Sequence, residues 1–287
     1  VSSPSESTAT VESGRAIDAV GSTALLVAAM RAAETDRADR LFSDPFARAL
    51  ADEEGAAMLA RAHARGLHKM PLVEVRTRYL DERLLAASRD GIRQIVLLAA
   101  GMDARAYRLD WPSTPAPTRL YELDREPVLA WKSARLQTSR PRCVRVALPG
   151  DVADDFTPAL VDSGFRPAEP TAWVLEGLLV YLDEPAVHAL LAQVDSLSAP
   201  GSHVLFDVPG RALFESATSA PAIQAMAARG SPWRFGTDDP ASLVSALGWT
   251  ASLTTPADYA TPLGRWPETT RKAAHSFFVA ATKNGER

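Results

Sequence analysis

Apolar residues follow two different rhythms along this chain. Up to about residue 90 they recur at helical spacing. Leu25, Leu26, Ala29 and Met30 share one face of a helix over Thr23–Ala33, and Val75, Tyr79, Leu80, Leu84 and Leu85 share a side of one over Pro71–Ser88. Asp44-Pro45 reads as an N-cap followed by a first-turn proline, opening a helix through Leu50, and Ala56–Ala64 is helical too. From Ile95 onward short apolar runs alternate with helical stretches. Strands are expected at Ile95–Ala99, Arg119–Leu123, Arg142–Ala147, Ala172–Leu175, Ser202–Val208, Thr250–Thr254 and Ser276–Thr282. Helices are expected at Pro127–Thr138, Phe156–Ser163, Glu184–Ser198 and Pro240–Leu247. In the third of these Asp183 caps the start, Val187, Leu190, Leu191, Val194 and Leu197 form the core-facing stripe, and Pro200-Gly201 ends it.

Strands alternating with helices imply an α/β protein with a mostly parallel sheet covered on both faces. The chain divides into a tail at 1–13, a helical N-terminal cover at 14–90 and a sheet-bearing core at 91–287, with an insertion at about 210–239 as a second cover. Within the core, Ile95 to Asp124 is the organising stretch: a buried strand, a turn at Gly101, a connecting segment, and a second strand ending on Asp124. Glycine lets the chain turn sharply and lets a ligand approach the backbone. A carboxylate about 20 residues beyond such a turn accepts hydrogen bonds from a ribose diol. The pattern by itself serves nicotinamide dinucleotides and S-adenosylmethionine equally. A dehydrogenase fingerprint needs two more glycines where this chain has Asp103 and Ala106, which weighs against the nicotinamide reading.

Ligands of open α/β sheets bind beyond the carboxyl ends of the strands, so Gly101, Asp103, Asp124, Asp151, Glu176, Tyr181 and Asp207 are the candidates. Asp124 and Asp151 also read as ordinary helix or loop caps. Glu176 interrupts an apolar run and needs a partner, an arginine or a ligand ammonium group. Arg76 and Arg78 precede the first strand. They read either as a solvated helix face or as a forked donor to a ligand carboxylate.

A net charge of −4 argues against a nucleic-acid surface. The single cysteine, Cys143, excludes an intrachain disulfide and a multi-cysteine zinc site and reads as a core residue. The five histidines show no metal-ligand spacing, so no metal is expected, and there is no Gly-x-Ser-x-Gly elbow or phosphate loop. Ala19–Met30 is too short to span a bilayer, and a cytoplasmic location without membrane association fits.

Several linked stretches together resemble the leucine carboxyl methyltransferase family, in its bacterial S-adenosylmethionine-dependent O-methyltransferase branch around polyketide metabolism. They are Asp39-Arg40-Leu41-Phe42-Ser43-Asp44-Pro45-Phe46-Ala47, Arg76-Thr77-Arg78, Leu97 through Leu109, Tyr121-Glu122-Leu123-Asp124, Gly150-Asp151-Val152 and Trp173 through Leu182. The resemblance implies a Rossmann-like class I methyltransferase fold, a seven-stranded sheet whose last strand is antiparallel. It assigns Arg76 to the methionyl carboxylate, Gly101 to the turn under the cofactor and Asp124 to the ribose hydroxyls. Asp151 and Val152 flank the adenine, and Glu176 lies near the methionyl end. Where the family usually has Gly-Ala-Gly, this chain has Ala99-Ala100-Gly101, so an extra methyl at Ala99 is expected to crowd the cofactor.

The expected activity is carboxyl O-methylation of a small molecule. An ionised carboxylate, with a pKa of roughly 4, needs no base. A hydroxyl acceptor would want one, for which Tyr181 and His275 are weak candidates. Trp233 and Arg234 in the insertion are candidate acceptor contacts, or incidental surface residues. The rival readings are a nicotinamide-dependent reductase and a non-catalytic cofactor-binding protein of the same fold. The oligomeric state is not legible.

Overall fold

The computed structural model describes residues 17–67, 70–217, 219–267 and 276–285. The expected tail at 1–13 and His275 lie outside them. Three helices precede the sheet: α1 (Ala19–Thr35), α2 (Ala47–Ala64) and α3 (Leu72–Arg89). The rest is β1 (Gln94–Leu98), α4 (Arg105–Arg108), β2 (Arg119–Asp124), α5 (Glu126–Arg135), β3 (Val144–Pro149), α6 (Thr157–Asp162), β4 (Thr171–Leu175), α7 (Glu184–Ser196), β5 (His203–Pro209), α8 (Ala212–Glu215), α9 (Ala220–Ala228), α10 (Ser242–Ser245), β6 (Trp249–Thr254), α11 (Pro256–Ala260) and β7 (Ser276–Lys283).

The strands form one seven-stranded sheet in the order β3-β2-β1-β4-β5-β7-β6. The first five run parallel, and β7 is antiparallel to both β5 and β6. β1 and β4 are buried along their whole length, as central parallel strands covered on both faces must be. Alternate residues feed two cores. Ile95, Leu97, Leu120 and Val174 face α1, α2 and α3, while Val96, Leu98, Tyr121 and Trp173 face α6 and α7. The second core buries the α7 stripe Val187, Leu190, Leu191 and Val194, with Leu197 just beyond the helix. Asp183 caps that helix, accepting from the Ala186 N–H at 2.9 Å. In α3, Tyr79 stacks on Phe278 of β7 with ring centroids 5.0 Å apart, which fixes the helix across the sheet.

Four expectations need correction. The two helices expected at 44–50 and 56–64 are both present, as the two parts of α2 on either side of a kink at Asp52, where φ is 55°, but the first does not start at Asp44. Phe46 holds the N-cap, with no side-chain cap bond, and Asp44 lies in the turn before it, accepting from the Phe46 N–H at 3.1 Å. The third strand starts at Val144 rather than Arg142, because only one of the six positions of this edge strand is buried and its apolar pattern is weak. Cys143 is only half-buried beside it. The helix expected at 240–247 shrinks to the single turn of α10. The insertion carries two helices of its own, α8 and α9.

Candidate functional site

The first candidate residue sits where β1 ends. Ala99 and Gly101 both adopt left-handed backbone, with φ of 53° and 51°. Glycine does so freely, whereas an alanine there carries strain. The turn folds toward β2: Ala100 N–H donates to Leu123 O at 3.1 Å, and Gly101 N–H donates to Asp124 Oδ2 at 2.6 Å. The second carboxylate oxygen of Asp124 accepts from Arg125 N–H at 2.8 Å. Asp124 is therefore tied to the glycine turn, and Arg125 rather than Asp124 occupies the N-cap of α5. Burial pushes the Asp124 carboxyl above the ordinary range, against the pull of these two N–H groups. α1 covers the turn closely, since a Cβ on Gly101 would come within 3.0 Å of Ala24 Cβ.

Glu176 follows β4 directly and lies at the centre of a buried cluster of charges. Its Oε1 accepts from Arg31 Nη2 of α1 at 2.7 Å and from Arg76 Nε of α3 at 3.1 Å. Its Oε2 accepts from Arg105 Nη1 of α4 at 2.6 Å. Burial alone would raise this carboxyl. Arg105, then Arg31 and Arg76, overcome that and hold it well below the usual carboxylate range. Arg76 also donates to Asp207 Oδ2 on β5 at 2.7 Å, and Asp207 Oδ1 accepts from Gly177 N–H at 2.6 Å. Glycine suits this position: φ is 62°, and a Cβ would sit 3.1 Å from Arg76 Nη1, tighter than an ordinary contact. Arg105 further binds Asp103, and Asp81 of α3 at 2.7 Å. Asp81 in turn binds Arg108 through both oxygens, at 2.5 and 2.8 Å.

The expected residues Gly101 and Asp124 thus meet, as do Arg76 and Glu176. Arg78 turns outward instead, to Glu82 and Leu41 O. Asp151 is exposed beyond β3, where it accepts from Ala153 N–H at 3.0 Å. Val152 packs on the second core and lines a cleft of about 460 Å³ between the loop after β3 and α7. That cleft includes none of Gly101, Asp124 or Glu176. Tyr181 ends a short helical turn, Leu179–Tyr181, and is half-buried. The strap 231–236 is laid against this turn, with Arg234 N–H and Phe235 N–H both donating to Val180 O, at 2.7 and 3.3 Å. The Arg234 side chain is exposed. Trp233 is half-buried, and its Nε1 has no hydrogen-bond partner among the described residues.

Sequence reasoning missed Arg31, Arg105 and Asp81. A charged residue between buried Ala28 and Ala32 in an apolar helix was the available signal for Arg31. Arg105, two residues beyond a strand-tip aspartate, gave a weaker one. Among the described residues no cluster of His, Cys, Asp and Glu is arranged to hold a metal ion, and no helix is long and apolar enough to cross a membrane.

The residues present fit a zwitterionic nucleoside. A glycine turn bound to a carboxylate suits a ribose, and a carboxylate among guanidinium groups suits an amino-acid end. Comparison with known proteins identifies the family and the fold. The family described as leucine carboxyl methyltransferase matches residues 24–195. A candidate S-adenosyl-L-methionine-dependent methyltransferase of a Parafrankia strain is 41% identical over 278 residues, covering 92% of this chain and 87% of the relative. Another, from Streptomyces avermitilis, is 39% identical over 258 residues, covering 86% and 88%. Two solved structures share the fold. A DUF574 family protein from Streptomyces avermitilis has a TM-score of 0.64 at 14% identity, covering 91% of this chain and 97% of that one. A candidate methyltransferase from Thermobifida fusca has a TM-score of 0.63 at 15% identity, covering 91% and 94%. The strand order described above is the Rossmann-like class I methyltransferase sheet, and this chain belongs to the leucine carboxyl methyltransferase family.

Proposed function

We propose that this S-adenosylmethionine-dependent methyltransferase transfers its methyl group to a carboxylate oxygen of a small-molecule acid. One observation carries the reading. The titratable groups gathered at the tips of β4 and β5 are paired ions, and Glu176 is held firmly ionised by three guanidinium groups. A carboxylate so stabilised is a poor general base, because its proton affinity lies far below neutrality. An acceptor that arrives already ionised needs none, since a carboxylic acid of pKa roughly 4 is deprotonated at pH 7.

In this reading Asp124 receives the ribose hydroxyls and Gly101 lies under the nucleoside. Asp151 and Val152 flank the adenine, Glu176 takes the methionyl ammonium group and Arg76 the methionyl carboxylate. Arg76 can turn from Glu176 without losing all charge compensation, because Asp207 remains bound to it. S-adenosylmethionine, when bound, supplies a sulfonium methyl open to in-line attack. The protein's share is to hold the two reactants close and aligned, worth on the order of 7–11 kcal/mol at best. The helices of 17–90 and the insertion 210–239 cover the site from two sides. Trp233 and Arg234 offer an apolar wall and a cation to the acceptor, and apolar monocarboxylic acids of the polyketide kind are the first class to screen. Tyr181 and His275 remain the candidate bases should a hydroxyl be the acceptor.

The test uses S-adenosylmethionine labelled in the methyl group with matched sets of carboxylic acids, phenols and alcohols. Methyl esters release labelled methanol in mild alkali, and methyl ethers do not. Alkali-labile label on an acid supports the proposal. Label confined to phenols or alcohols overturns it, and tight cofactor binding with no product from any acceptor would point to a binding protein instead. The glycine turn lacks the further glycines of a nicotinamide site, so a reductase is not favoured.

A further inference from the structure

We propose that Arg105 is a positioning residue for the ligand's amino-acid end: it fixes the Glu176 carboxylate in the orientation that receives an ammonium group. The inference rests on the reading of Glu176 given above and deepens it. Arg105 has no exposed surface, so it cannot itself meet a ligand entering from solvent. Its guanidinium instead joins three separate parts of the fold. Nε donates to Asp81 Oδ1 on α3 at 2.7 Å, and Nη1 donates both to Asp103 in the turn after β1 and to Glu176 Oε2 at 2.6 Å. Its backbone is pinned as well. Arg105 N–H donates to Asp103 Oδ1 at 2.6 Å, and Arg105 O accepts from Trp111 Nε1 at 2.8 Å.

The two oxygens of Glu176 are used differently. Arg105 holds Oε2 from the fully buried side, whereas Oε1 receives Arg31 and Arg76 from the cover helices. A glutamate has three rotatable side-chain bonds, and fixing one oxygen removes most of the freedom of the other. Oε1 is then presented in one place, where a ligand ammonium can replace an arginine donor without a change in the carboxylate's position. Only a planar fork spans Asp81, Asp103 and Glu176 together, and a lysine ammonium reaches fewer of them.

The test measures equilibrium binding to the full chain by calorimetry with two probes. S-adenosylhomocysteine carries the amino-acid end, and 5′-methylthioadenosine keeps the nucleoside and thioether but lacks it. In Arg105→Lys, affinity for S-adenosylhomocysteine is expected to fall roughly tenfold to a hundredfold while that for methylthioadenosine stays within about twofold. Asp81→Asn, which leaves Arg105 in place but frees its Nε, should show the same selectivity to a smaller degree and decides the matter if Arg105→Lys does not fold. Equal losses for both probes, or no loss for either, would overturn the proposal. Glu176→Gln is the reference. If that variant does not discriminate between the probes, the reading of Glu176 fails and the proposal with it. If it discriminates and the Arg105 and Asp81 variants do not, positioning alone fails.

Discussion

Replacing Glu176 by glutamine keeps the shape of the side chain and removes the charge on which Arg31, Arg76 and Arg105 converge. The three arginines are not left equally exposed to the loss. Arg105 retains Asp81 and Asp103, and Arg76 retains Asp207. Arg31, whose side chain is 6% exposed, retains the Thr77 hydroxyl at 3.2 Å. Breaking a buried ion pair from one side costs about 3–5 kcal/mol, mostly because the surviving charge is stranded. With two of three partners still compensated, the lower end, about 3 kcal/mol, is the expected loss. For a chain of this size that is a fall in Tm of roughly 6–12 °C. Arg31→Met alone should cost less, since Glu176 keeps two guanidinium partners. Combined with Glu176→Gln it should recover about 2 kcal/mol, because no stranded cation is left.

Urea denaturation of the wild type, both single variants and the double variant at pH 7 closes this cycle. Strictly additive losses would refute the argument that Arg31 bears the cost. The pH dependence gives a second check. The Glu176 carboxyl is depressed in the folded state, so its contribution is complete above its unfolded value of roughly 4.3 and is lost as pH falls through that value toward the folded one. The acid limb of stability should therefore be shallower in Glu176→Gln than in the wild type, and an unchanged limb would count against the assignment.

Two further outcomes are expected. Ala99→Gly relieves about 1–2 kcal/mol of left-handed strain and adds about 0.5–1 kcal/mol of chain entropy, so Tm should rise by a degree or two. A fall would mean that the lost packing of the Ala99 methyl on the second core, added to the entropy cost, outweighs the relief of strain. Asp124→Asn should lower affinity for S-adenosylhomocysteine by roughly tenfold or more in calorimetry. Because burial raises the wild-type carboxyl, that group takes up its proton more readily folded than unfolded, and the wild type should gain stability relative to the variant as pH falls through the acid range.

The sheet was legible because its central strands are short, mostly apolar runs and their ends are marked by a glycine or a carboxylate, as at Gly101, Asp124 and Glu176. Legibility faded where burial is partial. Only one of the six positions of β3 is buried, so its start slipped by two residues. α9 has no fully buried residue, so its run of alanines carried no stripe to read. The pairing around Glu176 was hidden for another reason. Its partners come from positions 31, 76 and 105, and arginines that look scattered along the chain converge only when α1, α3 and α4 pack over the tips of the strands. That Glu176 needed a partner was evident from the apolar run around it; that the partners would be three could not be read from any local window.

The place of β7 between β5 and β6 has a consequence for biosynthesis. β6 leaves the ribosome before β7, yet its sheet neighbour is β7, and the antiparallel edge of β5 is filled by the same strand. The parallel half of the molecule can assemble during translation, while β6 and the outer flank of β5 stay unzipped until the strand at 276–283 emerges. A nascent chain halted between residues 254 and 276 would therefore show two open hydrogen-bonding ribbons, the kind of surface that invites chaperone capture or pairing between neighbouring chains.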